Sequence, residues 1–326
     1  MNVKSSTIKT FLQDLLPPAI ESPVAAELGL VAALEKASAD SSQIRFIRVG
    51  GGQINDVYRI EFPGGASLLM KWHPDPPPGF FAAEAEGLTA IANAKSLRVP
   101  AVLAVSERGL LLEWLEHGAE LSRRAGRING PNGTGEASDP GKALGQGLAG
   151  LHRVSADAFG FPKDNYIGVL PQPNGWIARW SDFYRERRLV PQLDIAAQKG
   201  RLNPRRRRLA ERLLKRLTEW IDDEAVRPSL LHGDLWGGNW LVTPTGPAVI
   251  DPAVYYGDRE MDLAMASLFG GFPQSFYDAY QEAWPLPPGH QQRRPLYQLY
   301  YLLIHLNIFG ESYGPSVDRI LSRYGG

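Results

Sequence analysis

Short apolar runs bounded by glycine and proline fill the stretch from Arg45 to Trp114. Arg45–Val49, Asp56–Phe62 and Ser67–Trp72 each predict a strand, the last two joined by a hairpin turn at Pro63-Gly64-Gly65. Val99–Val105 and Leu110–Trp114 predict a further strand pair. Between the two groups, Phe80–Ala94 is rich in the helix formers Ala, Glu and Leu and predicts a helix. Upstream, Thr10–Leu16 and Val24–Ala37 carry apolar residues at helical spacing and are separated by Pro17-Pro18.

Beyond Trp114 the pattern changes. His117–Pro140 is dominated by Gly, Asn, Ser and Arg and predicts a surface loop. Ala143–Val154, Trp176–Leu189, Leu209–Ile221, Glu260–Phe269, Ser275–Trp284, Gln291–Ile308 and Ser316–Arg323 read as helices. In the second of these, Trp176, Trp180, Phe183 and Tyr184 share one face, which is expected to be core. Phe161–Asn174 is rich in Pro and Gly and predicts a loop. Three short runs interrupt the helices: Leu230-Leu231, Trp240–Val242 and Ala248–Ile250. They read as strands joined by tight turns. The sum is an α+β, bilobal chain. A small β-rich lobe with a helical leader spans residues 1–115, and a larger, mainly helical lobe spans residues 116–326.

Composition narrows the partners. The chain is 44% hydrophobic and 21% charged, as ordinary globular proteins are. Lys+Arg and Asp+Glu balance at 35 each, so no overall field favours nucleic acid or acidic membranes. Arg205–Arg208 is a dense basic run, but Leu209, Leu213, Leu214 and Leu217 continue it at helical spacing, which predicts a solvated helix face. The absence of cysteine excludes disulfides, thiolate catalysis and Cys-based zinc sites, and is compatible with a reducing compartment. Met1–Ser22 lacks the basic start and apolar run of a signal peptide. No apolar run approaches the ~18–20 residues of a membrane span. The expectation is a cytoplasmic chain with neither nucleic-acid nor membrane partners.

The late strands place three polar side chains at their ends: Asp234, Asn239 and Asp251. Phosphoryl transfer needs such a set. One carboxylate accepts the proton of the attacking hydroxyl, while an amide and a second carboxylate hold Mg²⁺ against nucleotide phosphates. Protein kinases carry His-x-Asp, an Asn five residues after that Asp, and a further Asp opening the loop after the next strand. His232, Asp234, Asn239 and Asp251 stand in that register. An isolated His-Gly-Asp would serve equally as a polar turn capped by its own side chains. The Asn in register and the later Asp favour the chemical reading.

The first lobe supplies matching parts. Gly50, Gly51 and Gly52, between two antiparallel strands, let backbone N–H groups approach phosphates without Cβ clashes, although the cluster lacks the Gly-x-Gly-x-x-Gly spacing. Lys71 on the third strand is where a kinase-like lobe puts its phosphate-binding ammonium. It needs a carboxylate partner on Phe80–Ala94, where Glu84 and Glu86 are available. Glu113 and Leu115 fall where a hinge backbone would meet adenine. Trp114 between them is open to stacking on the base or to filling core. His152, at a helix end, reads as structural. Asp262 reads as a cap near a helix start that braces the turn.

The run His232-Gly233-Asp234-Leu235-Trp236-Gly237-Gly238-Asn239, followed by Asp251-Pro252-Ala253-Val254-Tyr255-Tyr256-Gly257-Asp258-Arg259-Glu260-Met261-Asp262-Leu263-Ala264-Met265 and Leu268-Phe269-Gly270-Gly271-Phe272, resembles the fructosamine/ketosamine kinase family. That family lies in the aminoglycoside-phosphotransferase-like branch of the protein-kinase-like fold. Two positions depart from the pattern: Gly237 where Ser is usual and Asp258 where His is usual. Neither is one of the three chemical positions.

The resemblance implies an ATP-dependent kinase, assisted by Mg²⁺, that phosphorylates the 3-hydroxyl of a ketosamine such as fructosamine or ribulosamine. Its small-molecule partner is then a sugar-amine or glycated amine. Asp234 is the expected base, and Asn239 and Asp251 the expected metal ligands. The resemblance points to Glu84 as the partner of Lys71, and it brings Asp164–Gly168 near the acceptor. Trp236, two residues after the base, is expected to stack on the sugar. Two rival readings stand beside this one. The nearer is a kinase of the same fold acting on an aminoglycoside, choline or homoserine-like acceptor. The other is a nucleotide-binding protein without turnover.

Overall fold

The computed structural model describes residues 44–49, 55–118 and 139–326. The helices expected at 10–16 and 24–37, the glycines Gly50, Gly51 and Gly52, and most of the 117–140 loop lie outside the described residues.

Five antiparallel strands form the first sheet: β1 (Arg45–Arg48), β2 (Asp56–Glu61), β3 (Ser67–Trp72), β4 (Val102–Ser106) and β5 (Gly109–Glu113), in the order β1-β2-β3-β5-β4. The β2–β3 hairpin closes through Gly64 and Gly65 at φ 97° and 96°, a conformation that only glycine adopts without strain. Along β3, Leu68, Met70 and Trp72 point into one buried layer, and Lys71 is buried on the opposite face. Helix α1 (Phe80–Ala94) has the bounds the sequence predicts and buries Phe81, Leu88 and Ile91 in the core beside the sheet. Each such side chain contributes about 1.5–3 kcal/mol of burial free energy.

The rest of the chain is mainly helical. Helix α2 (Pro140–His152) starts three residues earlier than predicted. Asp139 Oδ1 accepts the N–H groups of Gly141 at 2.8 Å and Lys142 at 3.2 Å, and Pro140 opens the first turn. Four expectations need correction here. First, Phe161–Asn174 is not plain loop: β6 (Asn165–Ile167) and β7 (Leu170–Gln172) form a hairpin inside it. Second, the predicted helix Trp176–Leu189 begins only at α3 (Trp180–Phe183) and continues as a π-helix over Tyr184–Leu189 before α4 (Val190–Gln198). Trp176 therefore leaves the core face and is 49% exposed. Third, the predicted helix Leu209–Ile221 is displaced toward the N-terminus, as α5 (Pro204–Lys215), because Asn203 caps it and Pro204 starts it. Fourth, the basic run is not a wholly solvated face. Arg206 is buried, paired with Asp318 at 2.8 Å and Glu311 at 2.7 Å.

Strand β8 (Ser229–Leu231) pairs with β11 (Tyr255–Gly257), while β9 (Trp240–Thr243) pairs with β10 (Gly246–Val249). The turn between β8 and β9 and the loop between β10 and β11 therefore lie side by side. Helices α6 (Glu260–Phe269), α7 (Gln274–Ala283), α8 (His290–Phe309) and α9 (Gly314–Gly325) complete the chain. Helix α8 buries Tyr297, Tyr300 and Tyr301 at the centre of the helical core.

Candidate active site

The turn His232–Asn239 is held by backbone contacts that leave little freedom. Gly233 adopts φ 82°, and a Cβ there would lie 2.0 Å from the carbonyl oxygen of Ala253. The His232 carbonyl accepts the Ala253 N–H at 2.8 Å, so the turn is sewn to the loop after Asp251. His232 is fully buried: Nε2 donates to the Ile250 carbonyl at 3.0 Å and Nδ1 accepts the Asp234 N–H at 3.3 Å. Burial pushes its pKa down and outweighs the nearby Asp262 charge, which suits this neutral tautomer. Gly237 packs against backbone, since a Cβ there would meet the Gly270 oxygen at 2.9 Å. Asp258 is buried, with Oδ2 accepting the Tyr297 hydroxyl at 2.6 Å.

Asp262 braces the turn from below. Its Oδ2 accepts the His232 N–H at 2.7 Å and its Oδ1 the Gly233 N–H at 2.8 Å. It caps the turn rather than its own helix. His152 Nε2 lies 3.1 Å from Asp262 Oδ2, and its Nδ1 lies 2.8 Å from the Tyr280 hydroxyl. His152 is thus structural through a side-chain network, not through the end of its own helix.

Asp234, Asn239, Asp251, Lys71 and Glu84 line one cavity of 260 Å³. Lys71 Nζ donates to Glu84 Oε1 at 2.5 Å and to Asp251 Oδ1 at 2.6 Å. Glu86, the other candidate partner, points away and pairs with Lys163 at 2.5 Å. Burial alone would lower the Lys71 pKa, but the Asp251 and Glu84 charges outweigh it and hold the ammonium charged. Asn239 Nδ2 donates to the Asp234 carbonyl at 2.8 Å and faces Asp234 Oδ2 at 3.4 Å. Burial, with help from the Asp251 and Asp262 charges, pushes the Asp234 carboxyl up to about 7. Asp251 adopts φ 57°, a left-handed conformation that is uncommon outside glycine and favours Asp and Asn when it occurs.

The donor set fits a divalent cation shared with phosphates. The Asn239 amide spends its nitrogen on Asp234, leaving its oxygen as a hard donor, and the Asp251 side chain is 47% exposed into the cavity. Among the described residues there is no group of three or more His, Cys, Asp or Glu that would hold a metal by itself. A site of two protein oxygens completed by phosphate and water is the arrangement Mg²⁺ favours.

A second cleft of 210 Å³ adjoins the first, sharing Val57, Lys71 and Asp251. Glu113, Trp114 and Leu115 line it together with Leu69, Leu241 and Ile250. The Glu113 carboxylate is spent on Arg98 at 2.6 Å and the Ala101 N–H at 3.2 Å, so it is not free for a ligand in the cleft. Trp114 lines the cleft rather than filling core, with the Arg59 guanidinium 4.7 Å above its ring. Trp236 is 42% exposed, lines the 260 Å³ cavity, and lays its ring over Gly238. Phe80, Asn165, Tyr166 and Gly168 line the same cavity. The Tyr166 hydroxyl donates to the Pro78 carbonyl at 2.7 Å.

A sheet region and a helical region, with a buried lysine–glutamate pair and two aspartates brought together from adjacent loops, have the arrangement of a small-molecule kinase of the protein-kinase-like fold. The Cryptosporidium parvum choline kinase shares that fold, with a TM-score of 0.54 over 92% of this chain and 94% of its own, at 12% identity. The chain belongs to the fructosamine kinase family, whose family model matches residues 30–324. It is 41% identical over 285 residues to a probable ketoamine kinase of Enterococcus faecium, covering 86% of this chain and 95% of that one. A Thermobifida fusca structure, provisionally named a fructosamine-3-kinase, superposes with a TM-score of 0.75 at 33% identity, covering 93% of this chain and 98% of its own.

Proposed function

We propose that this kinase transfers the γ-phosphoryl group of ATP to the 3-hydroxyl of a ketosamine, free or carried on a larger amine. The observation that carries the reading is the convergence of Asp234, Asn239, Asp251 and Lys71 on a single cavity that opens into an apolar cleft. Residues 1–115 and 116–326 then act as two lobes with the nucleotide between them.

Each residue has a task in this reading. The backbone at Glu113 and Leu115 meets the adenine. Lys71, held by Glu84, draws in the nucleotide phosphates, and Gly50, Gly51 and Gly52 cover them. Asn239 and Asp251 hold Mg²⁺, which when bound neutralises charge on the phosphate oxygens. Asp234 orients the acceptor hydroxyl and takes its proton. The Asn239 amide, facing its Oδ2 at 3.4 Å, steadies the carboxylate for that step. Trp236 offers a flat apolar face to the sugar and a π-face to the protonated amine. Catalysis rests mostly on positioning and electrostatics.

Among the described residues no helix is long and apolar enough to cross a membrane. A cytoplasmic site of action and a small-molecule partner belong to the same proposal. The test is ATP consumption with an acceptor panel of ribose- and fructose-derived ketosamines, choline, homoserine and an aminoglycoside, with the phosphate located on the product by NMR. Turnover confined to ketosamines, with phosphate on the 3-hydroxyl, is the expected result. Turnover of the aminoglycoside alone would overturn the acceptor while leaving the kinase.

A further inference from the structure

Arg188 is a guanidinium with no accessible surface, on the π-helix Tyr184–Leu189. No carboxylate pairs with it among the described residues. Its Nη1 donates to the Pro173 carbonyl at 2.6 Å and its Nη2 to Asn174 Oδ1 at 2.8 Å. Its Cζ sits 3.8 Å from the Tyr255 ring centroid and 4.6 Å from that of Phe183, so π-faces stand where an acid would be expected. A buried charge compensated only by carbonyls and rings is costly, and the fold retains it for what it holds.

What it holds can be followed bond by bond. Asn174 Nδ2 donates to Asn165 Oδ1 and to the Lys163 carbonyl, each at 3.0 Å. Gln172 Nε2 donates to the same Asn165 oxygen at 2.8 Å and to the Ala253 carbonyl at 3.1 Å. Asn165 Nδ2 donates to the Val254 carbonyl at 2.7 Å, and the Tyr300 hydroxyl donates to Gln172 Oε1 at 2.7 Å. The chain of bonds runs from Arg188 to the hairpin β6–β7 and ends on the loop that carries Asp251. That hairpin contributes Tyr166 and Gly168 to the lining of the cavity that Trp236 also lines.

We propose that Arg188 is a positioning residue for the acceptor. It locks the β6–β7 hairpin against the Asp251 loop, so that the wall formed by Tyr166 and Gly168 keeps the acceptor hydroxyl on Asp234. The proposal rests on the reading of the 260 Å³ cavity as the acceptor site. Only arginine fits the task, because its planar fork reaches a carbonyl and an amide oxygen at once while its face lies on Tyr255. The π-helical register supplies the inward turn of the side chain, and such local widening recurs at functional sites.

The test uses the full-length protein and the variants Arg188→Met, Arg188→Lys and Asn174→Asp, with amide hydrogen exchange and steady-state kinetics. Exchange over residues 163–174 is expected to rise about tenfold or more in each variant, with residues 229–249 unchanged. The acceptor KM is expected to rise about tenfold while the ATP KM stays within about twofold. Arg188→Lys keeps the charge but not the fork, and is expected to behave as Arg188→Met. Asn174→Asp keeps a partner for Arg188, now an ion pair, and replaces the donor to Asn165 and Lys163 by an oxygen that both of theirs repel. It carries the test if the Arg188 variants fail to fold. Unchanged exchange over residues 163–174, a uniform rise across the chain, or equal rises in both KM values would overturn the proposal. Exchange needs no acceptor, so failure of every ketosamine as a substrate would count against the proposed function and leave this test decisive.

Discussion

Lys71 Nζ lies 2.6 Å from Asp251 Oδ1, across 180 residues of chain. One ammonium thereby ties strand β3 to the loop after β10, and its second bond to Glu84 adds helix α1. The two cavities meet at this pair, since Lys71 and Asp251 line both. In the proposed reading the nucleotide phosphates and the metal meet at this junction, where small changes in geometry have the largest effect.

Asp251 is the residue to change first. Its φ of 57° suits Asn as well as Asp, whereas Ala there carries strain of about 1–2 kcal/mol. Asp251→Asn is expected to keep the fold and to weaken Mg²⁺-dependent nucleotide binding by about 10²-fold or more. Asp251→Ala should add a loss of about 1 kcal/mol in urea unfolding. Nucleotide titration with and without Mg²⁺ checks this. The metal assignment fails if the metal enhances binding equally in variant and parent.

Asp234→Asn keeps the shape of the turn and removes the proton acceptor. Turnover is expected to fall by about 10²–10⁴-fold. The ATP KM should stay within about twofold, because Asp234 has no bond to Lys71 or Glu84. Single-turnover and steady-state rates on the same preparation measure both quantities. A variant with parental turnover would remove Asp234 from the mechanism.

Much of this arrangement is legible in the sequence, for physical reasons that differ from residue to residue. Ser67–Trp72, Phe80–Ala94 and Glu260–Phe269 emerge with the predicted bounds, because apolar spacing and punctuating turns act locally. The Lys71–Glu84 contact follows from the resemblance rather than from spacing, since Glu86 is equally near in sequence. The β6–β7 hairpin escapes because strands of three residues, one holding Pro171, are too short to show a period. Buried arginines escape altogether. Nothing local distinguishes Arg206 from Arg205, or Arg188 from Arg187; carboxylates, carbonyls and rings brought by distant elements decide it. The partner of His152 lies 110 residues away, so its role could be sensed only as structural. Gly50, Gly51 and Gly52 remain proposals, outside the described residues.

Trp236 is 42% exposed and rests on Gly238, so it is not a core residue, and the proposed reading makes it a stacking platform. Trp236→Ala is expected to change the folding free energy by less than about 1 kcal/mol. The acceptor KM should rise about tenfold, with the ATP KM unchanged. Kinetics with each substrate varied in turn, beside a thermal melt, separate the readings. A lowered melting temperature with both KM values raised equally would make Trp236 a packing residue.

Asp262 gives the prediction with a pH signature. The carboxylate accepts two backbone N–H groups of the turn and faces His152, all buried. Burial alone would raise its pKa. The hydrogen bond and charge of His152 and the Gly233 N–H outweigh burial and hold it below its ordinary 3.8. A carboxyl depressed in the folded state stabilises the fold above its unfolded pKa, and that contribution is lost as pH falls through the folded value. In Asp262→Asn the amide oxygen can accept only part of this load, and its NH₂ faces a backbone donor. A loss of about 2–4 kcal/mol at neutral pH is expected, from an unsatisfied buried group and a broken charge-assisted pair. The loss should shrink below about pH 4, because there the carboxyl of the unfolded parent protonates before the folded one does. Since His232 and Gly233 carry Asp234, kcat should also fall by about 10²-fold. Melting temperatures from pH 3 to pH 8, with kcat at neutral pH, test both halves. A stability difference independent of pH would show that Asp262 acts by packing and not by charge, and parental kcat would show that the turn keeps its shape without it.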